Sequence, residues 1–472
     1  MTLLLENLAK AEGLSVNEAD RLRELISVYE YHRYKNAKKR RYYEGHIPLS
    51  EVNLGLALPK RILGLEIGCA WGEKAVDVLA SRSMFDGYVG RNGYAADSIM
   101  AIMNANNMKA EYMKACRDEL KYGCTFATLS ADPKLGCRIR FHSPETAAAL
   151  WDGEKGRIAC GFAIIDTAPD EKEKASWTPS LVNYYTDTAV WVLHKENGRW
   201  YAEEHPHAMG RPLMEPLIWN ASSDKPFGRS RLKQPVRNLI QQYIRTMANA
   251  TIALEFSTAP QKYLLGVTED QYDQITSDKF KQYVGSILVS TSNPETGQNP
   301  TVGQFQQGTI EPHIQMIRAI ATKFCSATDL SVTDVGVIND ANPTSAEAIL
   351  AQTQALVLKA EQLNAANGAA LDQIALMALA IAQNTTIEEL SEEDRDIMAH
   401  FKNPAMPSVS VTTDAAIKIA TARPEFASTD VFAEMIGFDQ ADIRRIKAQE
   451  AKARGLATLS EEFNSDLTGG MA

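Results

Sequence analysis

The spacing of apolar residues changes several times along the chain, and each change marks an element. Leu22, Leu25, Ile26 and Tyr29 recur at helical spacing behind a cap at Ser15 or Asn17, predicting a helix to about Tyr43 that stops at Gly45, before Pro48. A second helix is expected over about Trp71 to Ser81. A longer one is expected from Asp97 to Tyr122, with Ile99, Ile102, Met103, Asn106, Ala110, Met113, Cys116 and Leu120 as its stripe and Gly123 as its stop. The period then drops to two. Cys137, Ile139 and Phe141 alternate with Arg138 and Arg140, and Ile158, Cys160, Phe162 and Ile164 follow the same rule. Asn197-Gly198 sits between two such runs and predicts a tight hairpin. Cys124 to Trp219 therefore reads as an antiparallel sheet region. Strand and helix do not alternate, so a nucleotide-binding doubly wound sheet is not expected.

Helical spacing returns after the polar loop Pro216 to Leu232. Val236, Leu239, Ile240, Tyr243, Met247, Ala250 and Leu254 share one face, with Pro235 in the first turn, where a missing N–H costs little. Residues 258–309 interrupt the pattern with short β-like runs at Tyr263 to Val267 and Ser286 to Ser290. A helix resumes at Pro312, with Ile314, Ile317, Ala321 and Phe324 in phase. Two helices thus flank a compact insertion, held out at their far end if they pair antiparallel. After the loop Asp329 to Pro343, capping-box spacing at Thr344 to Glu347 opens a helix running to Asn384. Its only charged residues are Glu347, Lys359, Glu361 and Asp372, so it needs neighbours around much of its circumference; Gly368 is the expected bend. The apolar run Ile374 to Ala382 is too short to span a bilayer. From Thr386 on, 16 acidic residues face 9 basic ones, with helices expected at Asp414 to Thr421 and Gln440 to Arg454 and a frayed end at Asn464 to Ala472.

With 472 residues and a net charge of −10, the chain has room for several domains and repels nucleic acid except where cations gather. They gather twice. Arg33, Lys35, Lys38, Lys39, Arg40 and Arg41 interleave with tyrosines, a cluster suited to nucleic acid, to an acidic neighbouring subunit, or simply to a solvated helix face. Arg229, Arg231, Lys233, Arg237 and Arg245 stand against Glu255 alone in the second. The start lacks the pattern of a secretory signal, and a cytosolic, membrane-free protein is expected. The six cysteines have no CxxC spacing and are expected as small buried hydrophobes. No phosphate-binding loop, HExxH, GxSxG or EF-hand sequence occurs. His205 and His207 lack further ligands at metal-site spacing, and Glu203-Glu204 and Glu388-Glu389 read as solvated charge. Neither an enzyme nor a cofactor is expected.

RRYYEGHIPL (Arg40 to Leu49), LKYGCTFATL (Leu120 to Leu129), PFGRSRLKQPVRNLIQQYIRTMANATIALEFSTAPQKYLLGV (Pro226 to Val267), NPTSAEAILAQTQALVLKAEQLN (Asn342 to Asn364) and IGFDQADIRRI (Ile436 to Ile446) follow one another in order. In that order, the set resembles the portal proteins of tailed double-stranded-DNA bacteriophages of the long-tailed type. The resemblance implies an α+β, mainly helical portal fold with wing, stem, clip and crown regions that closes into a ring of about twelve copies. It implies a place at one capsid vertex of the virion, with assembly in the host cytoplasm. Double-stranded DNA passes through such a ring during packaging and ejection. Other implied partners are the terminase motor, a head-tail connector or adaptor protein, and the major capsid and scaffolding proteins.

Mapped onto this chain, the resemblance implies a wing at 1–225 and stem helices at 226–257 and 310–328. The clip falls at 258–309, a channel loop at 329–343, a long inner helix at 344–385 and a crown at 386–472. Lys262, Tyr263, Lys279 and Lys281 would be clip contacts for motor or adaptor. Asp334, Val337, Ile338, Asn339, Asp340 and Asn342 would form the channel loop, unless that segment is an ordinary connector. Lys233, Arg237 and Arg245 would either steady DNA or pair with acidic residues of adjacent subunits. Twelve helices spaced about 10 Å apart place their axes on a circle about 38 Å across, leaving roughly 28 Å clear, enough for a duplex. Another virion component, a head-tail connector or capsid protein, is the competing reading; a DNA-processing enzyme is a more distant one.

Overall fold

The computed structural model describes residues 5, 7–52, 67–90, 97–169, 177–258, 262–265, 297, 301–304, 309–336, 346–405, 409–438 and 442–454. The chain is α+β and divides into two compact units. One gathers residues 1–43, 73–233 and 344–472; the other gathers 44–72 and 234–343.

The larger unit is built on sheets. Strands β4 (Ala147–Asp152), β5 (Arg157–Pro169), β6 (Trp177–Tyr185), β7 (Ala189–Glu196) and β8 (Arg199–Pro206) form an antiparallel meander in chain order. Helix α1 (Val16–Glu44) buries Leu22, Leu25 and Tyr29 against Phe162, Tyr184, Trp191 and Leu193, the inward positions of the period-two pattern. The Tyr29 and Phe162 rings meet edge to face at 5.6 Å. The β7–β8 hairpin turns at Asn197 and Gly198, both in the left-handed region, as a two-residue hairpin of the predicted kind requires. A second sheet has the order β3 (Gly136–His142), β2 (Cys124–Asp132), β9 (Met214–Ile218).

Short helix α2 (Leu49–Val52) follows α1, and the helix expected from Trp71 is α3 (Trp71–Ala80). Three findings differ from the sequence reading. The helix expected over 97–122 is two helices, α4 (Asp97–Ala105) and α5 (Met108–Tyr122), because Asn107 turns left-handed at φ 50°. Asn106, expected on the apolar stripe, instead donates to Cys137 O (2.8 Å) and accepts from Ile139 N–H (2.9 Å), so its amide extends the pairing of β3. The break shifts the stripe's phase and leaves Met113 exposed. Second, β1 (Phe85–Gly90) pairs antiparallel with β12 (Ile397–Phe401), a sheet the periodicity did not reveal.

Third, the long helix runs unbroken through Gly368. It is the eighth helix among the described residues, α8 (Ala346–Gln383), 38 residues long. By length and composition its stretch Thr353–Gln383 satisfies what a membrane crossing needs, yet its core face is buried in protein: Leu363, Leu371, Ile374 and Met377 are fully enclosed. A single turn, α9 (Glu392–Arg395), leads into β12; beyond that strand come α10 (Val409–Ala422) and α11 (Asp430–Ile436), and 442–454 is helical. The expected frayed end at 464–472 lies outside the described residues.

The smaller unit holds helices α6 (Gln234–Thr258) and α7 (Glu311–Thr328), each with proline as its second residue. The Trp71 ring lies against Tyr243, in the first half of α6, and against Phe324, near the end of α7 (centroids 4.4 and 4.8 Å), so the helices run antiparallel. Between them, β10 (Lys262–Leu265) pairs antiparallel with β11 (Thr301–Gln304), closing the base of the insertion. The run expected at Ser286 to Ser290 lies outside the described residues.

Candidate functional site

Helices α6 and α7, the strands between them and the segment after α7 form the candidate stem, clip base and loop. Val236, Ile240, Ile244 and Ala248 form a buried stripe on α6 at four-residue spacing, and Ile320, Ala321, Phe324 and Cys325 are buried on α7. Leu254, Ile314 and Met316 remain exposed on the pair.

The junction PFGRSRL that precedes α6 is fixed within the larger unit. Gly228, at φ +67°, carries its backbone against the carbonyls of Trp219 and Gly123, where a Cβ has no room. Arg231 is buried; its N–H donates to Leu120 O (2.9 Å) and its Nε to Ala75 O (2.5 Å). Arg229 pairs with Asp224 at 3.3 Å. These two cations of the local excess are therefore structural. Lys233 is exposed and Arg245 half-buried, and among the described residues neither has a carboxylate within ion-pair distance. Arg237 Nη2 donates to Gln234 Oε1 at 2.6 Å.

The first half of the loop after α7 is ordered by its own side chains. Asp329, left-handed at φ 57°, ends the helix, and Leu330 N–H donates to Cys325 O. The Asp334 carboxylate accepts from Ser331 N–H (3.0 Å) and Ser331 Oγ–H (2.7 Å). Asp334 therefore serves its own turn. Val337, Ile338, Asn339, Asp340 and Asn342 lie outside the described residues, as do Lys279 and Lys281. Lys262 and Tyr263 stand on β10, paired with Gln304 and Gly303.

In the early basic cluster, Lys39 Nζ donates to Tyr122 O (2.7 Å), Arg40 pairs with Glu145 (3.2 Å) and Lys35 sits 3.8 Å over the exposed Tyr31 ring. Part of that cluster thus holds the unit together. All six cysteines are free and buried, and burial pushes the Cys160 thiol up to about 11. No group of histidine, cysteine and carboxylate side chains among the described residues could hold a metal ion. His205 is exposed beside Glu203, and Glu389 caps Thr386 N–H at 3.2 Å. A cavity of about 200 Å³ is lined by Arg21, Glu24, Asp152, Lys155, Arg157 and Asp187. Lys155 stands between Asp152 and Asp187 there, and Arg157 is tied to Gly210 O.

The family model for "Phage portal protein, SPP1 Gp6-like" matches residues 21–455, which takes in both units, the helix pair and the helices after β12. The chain belongs to the phage portal proteins. Among curated relatives, this portal protein is 22% identical to the portal protein of Mycobacterium phage D29 over 463 residues, covering 94% of this chain and 91% of the relative. It is 23% identical to that of Mycobacterium phage L5 over the same length and coverage. Among solved structures, it is similar to a chain of the virion of a native gene transfer agent particle (TM-score 0.46, 14% identity, 85% of this chain and 93% of that one). A chain from the neck of that particle, computed with C12 symmetry, gives a TM-score of 0.44 at 13% identity, covering 78% and 89%. A portal protein is a structural component of the phage particle and not an enzyme.

Proposed function

We propose that this portal protein closes with copies of itself into a ring of about twelve at one vertex of the capsid, through which double-stranded DNA is packaged and later ejected. The observation that carries this reading is the family match over 21–455, which includes both helices of the stem and the strands at the base of the clip. In this reading the sheet unit is the wing, α6 and α7 are the stem and 258–309 is the clip that meets the terminase and then the head-tail connector. Residues 329–343 are the channel loop, α8 is the inner helix and 386–472 is the crown. The outer surface faces capsid and scaffolding proteins, and assembly takes place in the host cytoplasm.

The physical chemistry supports this. Leu254, Ile314 and Met316, exposed on the helix pair of one copy, are suited to cover one another between neighbouring copies. A net charge of −10 per copy disfavours tight binding of a polyanion that must slide, since every fixed phosphate contact adds affinity. Lys233, Arg237 and Arg245 are the cations that would face DNA or a neighbour's carboxylate.

Negative-stain imaging of the purified chain tests the reading. A perforated, turbine-shaped ring is the expected result, and a monomer under all assembly conditions, or a lattice of other symmetry, would overturn it. Deleting 262–305 is expected to spare the ring and abolish packaging.

A further inference from the structure

Helices α5 and α8 and the turn before β1 enclose a set of polar side chains with no exposure at all: Ser83, Tyr112, Glu119 and Asn367. Their donors can be counted. Asn367 Nδ2 donates to Glu119 Oε2 (2.8 Å) and to the Tyr112 hydroxyl oxygen (3.0 Å), which uses both of its protons. The Ser83 hydroxyl donates to Asn364 Oδ1 (2.6 Å). Tyr112, 2.6 Å from Ser83 Oγ, must then donate to that oxygen. Every hydroxyl and amide proton of the set is committed, yet Glu119 Oε1 and Asn367 Oδ1 are both buried without a donor. Leaving two acceptors so placed is expensive. They are the second oxygens of two planar groups already joined through Asn367 Nδ2 and Glu119 Oε2. One extra proton between them satisfies both.

We propose that Glu119 is a neutral carboxylic acid in the folded protein, its Oε1–H donating to Asn367 Oδ1, and that this acid–amide pair positions the long helix α8. The electrostatics agree with the donor count: burial pushes the Glu119 carboxyl up to about 8, against a smaller pull from the Asn367 N–H. The titratable groups around it are Tyr112 and Cys116 on α5 and Cys124 on β2, each pushed up by burial and so neutral. Arg117 acts on Cys116 and Lys39 on Cys124, but neither is among the groups that shift Glu119. From α8 come only the amides of Asn364 and Asn367, and from the turn before β1 the Ser83 hydroxyl.

The same face of α8 continues to Leu371, whose carbonyl accepts from Tyr88 OH at 2.9 Å. Positions 364, 367 and 371 follow helical spacing, so a slip of one residue rotates the helix by about 100° and breaks all three attachments.

The test is Glu119→Gln in the full-length chain, since glutamine reproduces the neutral acid's donor and acceptor. Infrared difference spectra, wild type minus variant at pH 7, are expected to show a carboxylic-acid C=O band. The Tm of Glu119→Gln relative to wild type is expected to rise by a few degrees between pH 5 and 8 and to level off above. The sign follows from linkage: a carboxyl whose folded value exceeds its unfolded one stabilises most at low pH and loses that contribution as pH climbs to the folded value. Absence of the acid band, parallel pH profiles, or a variant that folds poorly at pH 7 would each overturn the proposal. None of these outcomes bears on ring formation, so the portal reading stands or falls separately.

Discussion

Replacing Trp71 by alanine removes the side chain that joins α6 and α7. Trp71 is 7% exposed, and its ring meets Tyr243 at 4.4 Å and Phe324 at 4.8 Å. Each such aromatic pair is worth about 0.5–1.5 kcal/mol beyond the area it buries. A buried tryptophan cut to alanine costs about 3–5 kcal/mol once the cavity is included. The expected loss for Trp71→Ala is therefore about 4 kcal/mol, of which about half comes from the two ring pairs. Trp71→Phe keeps part of both and is expected to lose about half as much. Urea unfolding followed by far-ultraviolet circular dichroism reads the effect without relying on the deleted fluorophore. At a slope of about 2 kcal/mol per molar, the transition of the helix-pair unit moves down by about 2 M. A shift less than a quarter of that size, or equal shifts for the alanine and phenylalanine variants, would refute the idea that this ring sandwich sets the pairing of α6 with α7.

Two further outcomes follow from the junction and from the start of α6. Gly228→Ala places a Cβ against the Trp219 carbonyl and 2.9 Å from Gly123 O in a left-handed conformation, and is expected to destabilise by about 3 kcal/mol or more, read as a lowered Tm and poor soluble yield. A wild-type melting curve would show that the junction relaxes freely. Lys233→Gln with Arg245→Gln is expected to lower the slope of log affinity against log salt for duplex DNA binding to assembled rings, by about 0.9 for each phosphate that is no longer neutralised. An unchanged slope would assign both cations to carboxylates of adjacent copies.

Much of the fold was legible because it rests on local period. The alternation in β5 and the Asn197-Gly198 turn located the meander, and Pro235 and Pro312 placed the starts of α6 and α7. What escaped depends on partners distant in sequence. Phe85–Gly90 and Ile397–Phe401 are too short and too mixed to announce a strand alone; each is a strand because the other lies beside it. Asn106 fits a helical stripe by position, and only β3 reveals that its amide completes a strand ladder. The basic excess before and within α6 is visible as charge, but nothing in the sequence shows that Arg231 is spent on backbone carbonyls. Glu119 resembles one more surface acid on α5, since nothing local signals that Asn367 closes over it. Of the loop residues, Asp334 is a channel candidate by position and in the structure caps its own turn.

The pairing of β1 with β12 also bears on synthesis. Both strands belong to the larger unit, but the second ends at Phe401, after the ribosome has already produced the entire excursion through 234–343. A nascent chain holds the meander early and waits some three hundred residues for the strand that seals Phe85–Gly90. Products cut short before that point carry Phe85–Gly90 without its partner strand.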